Sequence, residues 1–228
     1  MPFKLARKDW QDIFPKAPKA VIDAFVDNPG PLDKAGITKT RTRLAYALAN
    51  VEHECGGFTI KNLTENINYT AKRMAEVWDN RFSSAADVEA RYGTAKGWQK
   101  KAFDDIYGNR MGNRKGTNDG STYIGRGGPQ ITGRGGYEEV GDRSGLDLVS
   151  NPETATLPEH QPAILAAFWS WKDLNKFADD GDFEGCVKAW NGGTNGLADR
   201  MARMSGNDPI IDRLSNVAGF ISVFDHLK

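Results

Sequence analysis

The sequence predicts a mainly helical fold of two lobes, with a small irregular β-hairpin that lines the cleft between them. Three observations lead to this prediction. Apolar residues recur at helical spacing along most of the 228 residues. A segment rich in glycine, asparagine and arginine, residues 108–136, interrupts the helices. Two short β-prone patches, at residues 121–124 and 129–132, lie within that segment.

The predicted helices begin near the N-terminus. Residues 8–10 open a short helix, and a second covers residues 18–26 before the run Asn28-Pro29-Gly30-Pro31 ends it. A longer helix ends at Glu54. The segment 162–174 is apolar on most of its circumference, which predicts the central buried helix. Further helices are predicted at residues 70–78, 84–92, 98–107, 183–190, 197–204 and 212–224.

The glycine-rich segment differs in composition from a flexible linker. Tyr123, Ile124, Gln130 and Ile131 alternate apolar and polar character within it, which linkers rarely do. We therefore expect this segment to form a loop that lines a cleft beside the helices.

The charge balance and the cysteine count argue against several classes of protein. Lysine plus arginine and aspartate plus glutamate number 30 each, so no net field favours nucleic acid or a membrane surface as partner. The N-terminus lacks the apolar core of a secretory signal, and the longest apolar run, residues 163–169, is too short to span a bilayer. Cys55 and Cys186 give no disulfide framework, which is typical of a reducing cytoplasm.

Glu54 is the first candidate for catalysis, because it continues a buried helical stripe and precedes the helix-ending pair Gly56-Gly57. A carboxylate at such an apolar edge is partly desolvated, which raises its pKa and suits it to general acid catalysis. Glu52 falls about 200° away around the helix and is predicted to face solvent. A helix-end Glu54 that turns to solvent is the alternative. The stripe consists of Leu44, Ala47, Leu48 and Val51.

Glu65 is the second carboxylate candidate. It follows Glu54 in a polar loop that is expected to leave its pKa low. Cleavage of a glycosidic bond needs one protonated and one ionised carboxyl group across a cleft, about 6.5–9.5 Å apart when water attacks directly. The loop is long enough to place Glu65 opposite Glu54. A solvated loop residue is the alternative that the pattern leaves open.

Four blocks stand out along the chain: His53-Glu54-Cys55-Gly56-Gly57-Phe58, Glu65-Asn66-Ile67-Asn68-Tyr69, residues 125–134 and residues 191–200. In sequence and order they resemble glycoside hydrolase family 19, in its phage endolysin branch rather than its plant chitinases. The resemblance implies a mainly α, α+β fold of the lysozyme-like superfamily. It also implies one catalytic domain over residues 1–228, with no separate wall-binding module.

The resemblance implies a role for each matching residue. Glu54 would protonate the leaving oxygen, Glu65 would activate a water with inversion at the anomeric carbon, and Thr132 would help to hold that water. Arg200 near a carboxylate would keep Glu65 ionised. The residues expected to bind the sugar or support the catalytic pair are His53, Tyr123, Gln130, Asn191 and Arg200.

Two residues depart from the family pattern. Cys55 stands where a serine is usual, a position that a small buried thiol can fill. Gly136 stands where an asparagine is usual, four residues after Thr132. This second change removes one substrate contact and leaves binding at that subsite open.

The implied function is that of a muramidase, which hydrolyses the β-1,4 bond between N-acetylmuramic acid and N-acetylglucosamine in peptidoglycan. We expect a monomer that uses no metal or cofactor and binds glycan strands. It would stay in the host bacterial cytoplasm until a partner such as a holin releases it to the periplasm and cell wall, where it would lyse the host.

Four alternatives are also considered. A chitinase of the same family would use the same carboxylates. A peptidoglycan peptidase would use Cys55 with His160 or His226, although Cys55 is not at a helix start, where a thiolate is stabilised. A zinc amidase lacks ligand spacing among the histidines and cysteines. A non-catalytic wall-binding module would rely on tryptophans, but Trp169, Trp171 and Trp190 lie on predicted core helices.

Overall fold

The computed structural model of the protein describes residues 2–205 and 210–215. These residues are mainly helical, as the sequence predicts. Four short 3-10 helices, Ile37–Lys39, Lys61–Leu63, Pro152–Thr156 and Pro158–His160, connect the α-helices in this part of the chain. Its α-helices are α1 Arg7–Ile13, α2 Lys19–Asp27, α3 Gly30–Lys34, α4 Arg41–Cys55, α5 Ala71–Val77, α6 Ala85–Tyr92, α7 Trp98–Tyr107, α8 Asp119–Thr122, α9 Arg134–Ser144, α10 Gln161–Trp171, α11 Leu174–Asp179, α12 Phe183–Asn191, α13 Leu197–Ser205 and α14 Ile210–Ser215.

Helix α4 lies within the larger of two hydrophobic cores. The Thr40 hydroxyl caps it by accepting the Arg43 N–H at 3.2 Å, and Gly56 ends it with φ +62°. Helices α11, α12, α13 and α14 pack against it. The predicted stripe is confirmed, because its four residues are 0% exposed: Leu44, Ala47, Leu48 and Val51.

Glu52 corrects one prediction. Its two carboxylate oxygens accept hydrogen bonds from Arg213 at 2.9 and 2.8 Å. Helix α14 packs across that side of α4 and carries the arginine to it. Glu52 is therefore covered by a packed helix and does not face open solvent. The predicted helix over 212–224 is seen as α14 as far as Ser215, and residues 216–224 lie outside the described residues.

Helix α10 is buried along most of its length, which confirms its predicted central position. It packs against α2, α3, α9 and α11. Trp169 is 0% exposed, and its indole N–H donates to Asn175 Oδ1 at 2.8 Å. The helix ends at Trp171, earlier than predicted, because Asp173 adopts a left-handed conformation with φ +51°.

A second, smaller core supports the prediction of two lobes. It joins α5, α6 and α7 to the glycine-rich segment through Ile124. Tyr69 and Trp78 pack edge-on or tilted against its buried Phe103 and against each other, with ring centroids 5.5–6.0 Å apart. The buried residues of this core are Met74, Phe82, Val88, Ala102, Phe103, Ile106 and Ile124.

The predicted hairpin is reduced to isolated antiparallel bridges. Arg126 pairs with Ile131 across the turn 127–130, and it also pairs with Thr64. The β-prone patch at 121–124 is a wrong prediction, because its first two residues belong to the helical turn α8 and the other two form no strand. Local side-chain bonds hold this turn: the Asp119 carboxylate accepts the Arg114 N–H at 2.8 Å, and Asp104 accepts the Ser121 N–H at 2.7 Å.

Within the described residues, none of the helices combines the length and the apolar character needed to cross a bilayer.

Candidate active site

An open cleft of about 950 Å3 brings together five of the predicted site residues. They come from separate parts of the fold. One lies in the last turn of α4 and one in the loop after it. Two lie in residues 126–132, the segment closed by the Arg126–Ile131 bridge and called the bridged turn below, and one lies at the end of α12. In chain order these residues are Glu54, Glu65, Gln130, Thr132 and Asn191.

Glu54 is held by a buried arginine. The Arg200 guanidinium, only 2% exposed, donates from Nη2 to Glu54 Oε1 and from Nη1 to Asn50 Oδ1, the latter at 2.6 Å. Asn50 in turn donates to the Tyr46 carbonyl at 2.8 Å. Because Asn50 and Glu54 are four residues apart on α4, they share one face, and α13 packs there. The Glu54 carboxylate is thus fixed at the cleft wall.

This arrangement changes the role expected for Arg200. The resemblance placed Arg200 near a carboxylate so as to keep Glu65 ionised. In the structure the arginine forms its ion pair with Glu54. Helix α13, which carries Arg200, packs against α4. Arg200 therefore positions and charge-balances the predicted acid, not the predicted base.

Glu65 is bound to the glycine-rich segment. Its N–H donates to the Gly125 carbonyl at 2.8 Å, and its Oε2 accepts the Gly125 N–H at 3.1 Å. Burial raises the pKa of Glu65, while the Gly125 N–H and the charge of Arg126 act in the opposite direction. The low pKa expected from its polar loop is therefore wrong, because Gly125 and its neighbours cover the side chain.

Thr132 and Gln130 lie beside Glu65 on the bridged turn. The Thr132 hydroxyl donates to the Gln130 carbonyl at 3.0 Å, and Gln130 Nε2 donates to the Gly127 carbonyl at 2.9 Å. Gln130 adopts φ +56°, a conformation that costs energy for a residue with a side chain. The turn therefore holds both polar side chains at the edge of the cleft.

Asn191 lines the cleft from the end of α12 and also orders the loop that follows. Its Oδ1 accepts the Gly193 N–H at 2.8 Å, and its Nδ2 donates to the Asn195 carbonyl at 2.9 Å. Gly192, next to it, ends the helix with φ +80°. The amide is thus tied to its own loop at the cleft rim.

Tyr123 and His53 do not line the cleft in this structure. Tyr123 is 5% exposed, and its hydroxyl donates to the Val149 carbonyl at 3.1 Å and accepts from Arg134 at 2.9 Å. His53 Nδ1 lies 2.5 Å from Asp199 Oδ2, in a hydrogen bond between α4 and α13. Both residues hold neighbouring elements together in the structure.

The cleft also contains residues that the sequence did not single out for binding. Trp171 and Trp190 were predicted as core residues, yet both contribute to the cleft wall, and Trp171 is only partly buried. An apolar helical stripe looks the same whether it faces a core or a cleft, so the pattern could not separate the two. The other additional lining residues include Tyr107, Met111, Glu138, Glu139, Asp142, Phe168 and Lys172.

Glu65 also borders a second groove, of about 900 Å3. Amide side chains of the loop around Glu65 line it, namely Asn62, Asn66 and Asn68. Because Glu65 borders both depressions, the surface around the carboxylates can accommodate an extended chain on either side of it.

Cys55 has the environment of a packed core residue. It is 0% exposed, its thiol donates to the Val51 carbonyl at 3.2 Å and its sulfur accepts the Phe58 N–H at 3.1 Å. Burial raises the pKa of this thiol to about 12, which disfavours the thiolate that a nucleophile needs. Cys186 is likewise buried and free. These observations argue against the cysteine peptidase alternative, whose second candidate base, His226, lies outside the described residues.

In the described part of the chain, no group of three or more His, Cys, Asp and Glu side chains is arranged to hold a metal ion.

The chain is similar to one protein whose description names a family. A protein of Haemophilus influenzae (strain ATCC 51907 / DSM 11121 / KW20 / Rd), described as a glycosyl hydrolase family 19 domain-containing protein, is 29% identical over 204 residues, which cover 88% of this chain and 94% of that protein. No family model matches the chain.

Two solved structures share the fold. Chitinase C from Streptomyces griseus HUT6037 gives a TM-score of 0.52 at 20% identity, covering 92% of this chain and 94% of its own. A bacterial family 19 chitinase gives a TM-score of 0.50 at 19% identity, and the match covers 93% of this chain and 95% of the chitinase chain. The predicted fold class is confirmed by these structures.

Proposed function

We propose that this glycoside hydrolase is a muramidase of the endolysin type, which cleaves the β-1,4 bond between N-acetylmuramic acid and N-acetylglucosamine. One observation carries the proposal: Glu54 and Glu65, on separate elements, line the same open cleft. Two carboxyl groups on opposite sides of a cleft are the groups that glycoside hydrolysis requires. Thr132, on the bridged turn, lines the same cleft.

In this mechanism Glu54 is the general acid. It donates to the leaving glycosidic oxygen a proton that it has taken up from solvent in the cleft, and it returns to the carboxylate that pairs with Arg200. The Arg200 guanidinium, already bonded to Glu54 Oε1, stabilises that negative charge as it forms. Asn50 keeps the guanidinium aligned from its other side. The charge of the acid therefore changes during the step while its position stays fixed.

Glu65 is the general base in the same mechanism. Its raised pKa makes it a stronger proton acceptor than an ordinary carboxylate once it is ionised. Thr132 offers a hydroxyl on the neighbouring turn for the attacking water, which would enter from the face opposite the leaving group and invert the anomeric carbon. The grooves on both sides of Glu65 suit cleavage within a long glycan strand rather than at its end.

Mass spectrometry of digested peptidoglycan tests the substrate and the bond. Purified sacculi of a Gram-negative bacterium are incubated with the protein, and the products are reduced before analysis. We expect new reducing ends at N-acetylmuramic acid. Reducing ends at N-acetylglucosamine, or free peptides, would contradict the muramidase proposal. N-acetylchitooligosaccharides are digested in parallel, and cleavage of these alone would assign the protein as a chitinase instead.

The biological setting is part of the proposal. We infer that the protein acts as a monomer on the wall of a phage host after a holin-like partner opens the inner membrane. The support is the resemblance of the four sequence blocks to the endolysin branch. Expression in a Gram-negative host tests it: we expect lysis when the inner membrane is permeabilised and intact cells without permeabilisation. Survival of permeabilised cells that contain folded protein would overturn this setting.

A further inference from the structure

Lys172 follows the last residue of α10 and is the only cationic residue among those that line the cleft of the described structure. Its neighbours along that lining include five carboxylates, Glu54, Glu65, Glu138, Glu139 and Asp142. Glu138 and Glu139 are paired with the arginines of their own helix, Arg134 and Arg143.

Aromatic rings hold the Lys172 ammonium in place. Nζ lies 3.8 Å from the centroid of the Trp171 ring and 5.7 Å from that of Phe168. Among the described residues, no carboxylate lies within ion-pair distance of Nζ and no hydrogen bond is made by it. The side chain is half-buried, and burial lowers the pKa of Lys172, with the charge of Glu139 acting in the opposite direction.

Gly136 leaves space in front of these aromatic rings. A methyl group at this position would lie 3.7 Å from Trp171 Cη2 and 3.9 Å from Cζ3. Because these are ordinary contact distances and Gly136 has a helical backbone, the position would accept a methyl group without a clash. The glycine therefore uncovers the edge of Trp171 toward the cleft.

We propose that Lys172 binds a carboxylate of the substrate, carried by the muramoyl sugar that sits over Trp171 in the space left by Gly136. Such a carboxylate belongs to the lactyl group in peptide-free strands and to the attached peptide in intact wall. An indole edge packs against the sugar ring, and a half-buried ammonium without a partner gains a charge-assisted hydrogen bond. Lys172 and Gly136 then select an anionic, substituted glycan over a neutral one.

This inference rests on the proposed muramidase function and deepens it. The substrate panel contains intact sacculi, peptide-free glycan strands prepared with an amidase, the same strands with their carboxylates amidated, and neutral N-acetylchitooligosaccharides. Wild type is compared with Lys172→Met, Lys172→Arg and Lys176→Met. Lys176 is the matched control, because it also lies over an aromatic ring, 5.0 Å from the Phe177 centroid, but outside the cleft.

The preference for charged strands over amidated strands is expected to fall about tenfold in Lys172→Met, through KM rather than kcat. Lys172→Arg should recover much of it, and Lys176→Met should keep the wild-type ratio. If Lys172→Met loses activity on sacculi alone, the carboxylate that Lys172 binds belongs to the peptide. If it also loses activity on peptide-free strands, that carboxylate belongs to the lactyl group.

In a folded Lys172→Met protein, an unchanged ratio together with unchanged activity on sacculi would overturn the inference while the proposed function stands. An equal loss on charged and amidated strands would also overturn it. If wild type cleaves neither sacculi nor strands, the proposed function fails and this inference fails with it. Thermal melting of each variant identifies loss of fold. Gly136→Asn gives a second measurement and should lower the same ratio by covering Trp171.

Discussion

Arg200 and Glu54 form an ion pair in which the arginine side chain is buried and the carboxylate faces the cleft, with side-chain exposures of 2% and 18%. The guanidinium also bonds Asn50, so one buried charge links two positions of α4 to α13. Removal of Arg200 would leave both partners without their donor.

Replacing Arg200 with alanine should destabilise the protein by about 3 kcal/mol, because it breaks a largely buried charge pair and vacates the space the side chain fills. Urea denaturation followed by circular dichroism gives the change in unfolding free energy. Arg203→Ala is the comparison on the same helix, since Arg203 is more exposed. A loss below about 1 kcal/mol would show that Arg200 carries little of the α4–α13 packing.

Glu54→Gln should lower kcat by about 10²–10⁴-fold, because the amide cannot donate the proton that the leaving oxygen needs. The glutamine can still accept a bond from Arg200, so the fold should persist. Glu52→Gln is the matched control on the same helix and should keep wild-type turnover. Comparable losses in the two variants would indicate a structural effect rather than general acid catalysis.

The pH dependence should report Glu65. Because burial raises its pKa above the ordinary value of 4.5, the acidic limb of the kcat profile should lie above that value. Activity falls as pH decreases through this limb, since a protonated Glu65 cannot accept a proton from water. Initial rates across a pH series would reveal the limb, and a limb at or below 4.5 would contradict this assignment.

The raised pKa of Glu65 should also affect the free energy of unfolding. A buried carboxyl group whose pKa is higher in the folded than in the unfolded chain contributes stability at low pH, and this contribution is lost as pH rises through the folded pKa. Glu65→Gln should therefore raise the unfolding free energy at pH 7 relative to wild type. The gain should shrink as pH falls toward 4.5. A variant less stable than wild type at pH 7 would show that the Gly125 bond outweighs desolvation.

Cys55→Ser should preserve glycosidase activity and cost about 1 kcal/mol of stability, because it places a more polar group in a buried position. The native thiol should also react slowly with thiol reagents, in line with a pKa of about 12. Activity assays and a thiol titration of the folded protein check both points. Loss of lysis with retained fold would revive the peptidase alternative.

Local pattern sufficed for some parts of the fold. The apolar spacing along α4 placed Leu44 and Val51 correctly, because helical phase is a property of neighbouring residues. It also placed Glu54 on the inner edge, where the cleft begins. The same pattern correctly placed Glu52 on the opposite side of α4. It could not show that α14 covers that side, since α14 lies more than 150 residues further along the chain.

Long-range contacts account for the remaining errors. The sequence offered two carboxylates to Arg200, and only the packing of α13 on α4 decides that Glu54 is its partner. Similarly, the loop around Glu65 is polar, and its burial arises from Gly125, sixty residues away in sequence. The ion-pair partner of Arg200 and the pKa of Glu65 therefore depend on tertiary contacts that the periodicity of the sequence does not encode.

The pair of hydrogen bonds between Glu65 and Gly125 has a mechanical consequence. The Gly127 N–H also donates to the Leu63 carbonyl at 2.9 Å, so the loop of Glu65 is hydrogen-bonded to the glycine-rich segment at a second point. Within that segment, Ile131, next to Thr132, exchanges two backbone hydrogen bonds with Arg126. A displacement of either segment is transmitted to the other. The spacing between Glu65 and Thr132 is thereby held by backbone hydrogen bonds, and a change in cleft width would alter only their separation from Glu54.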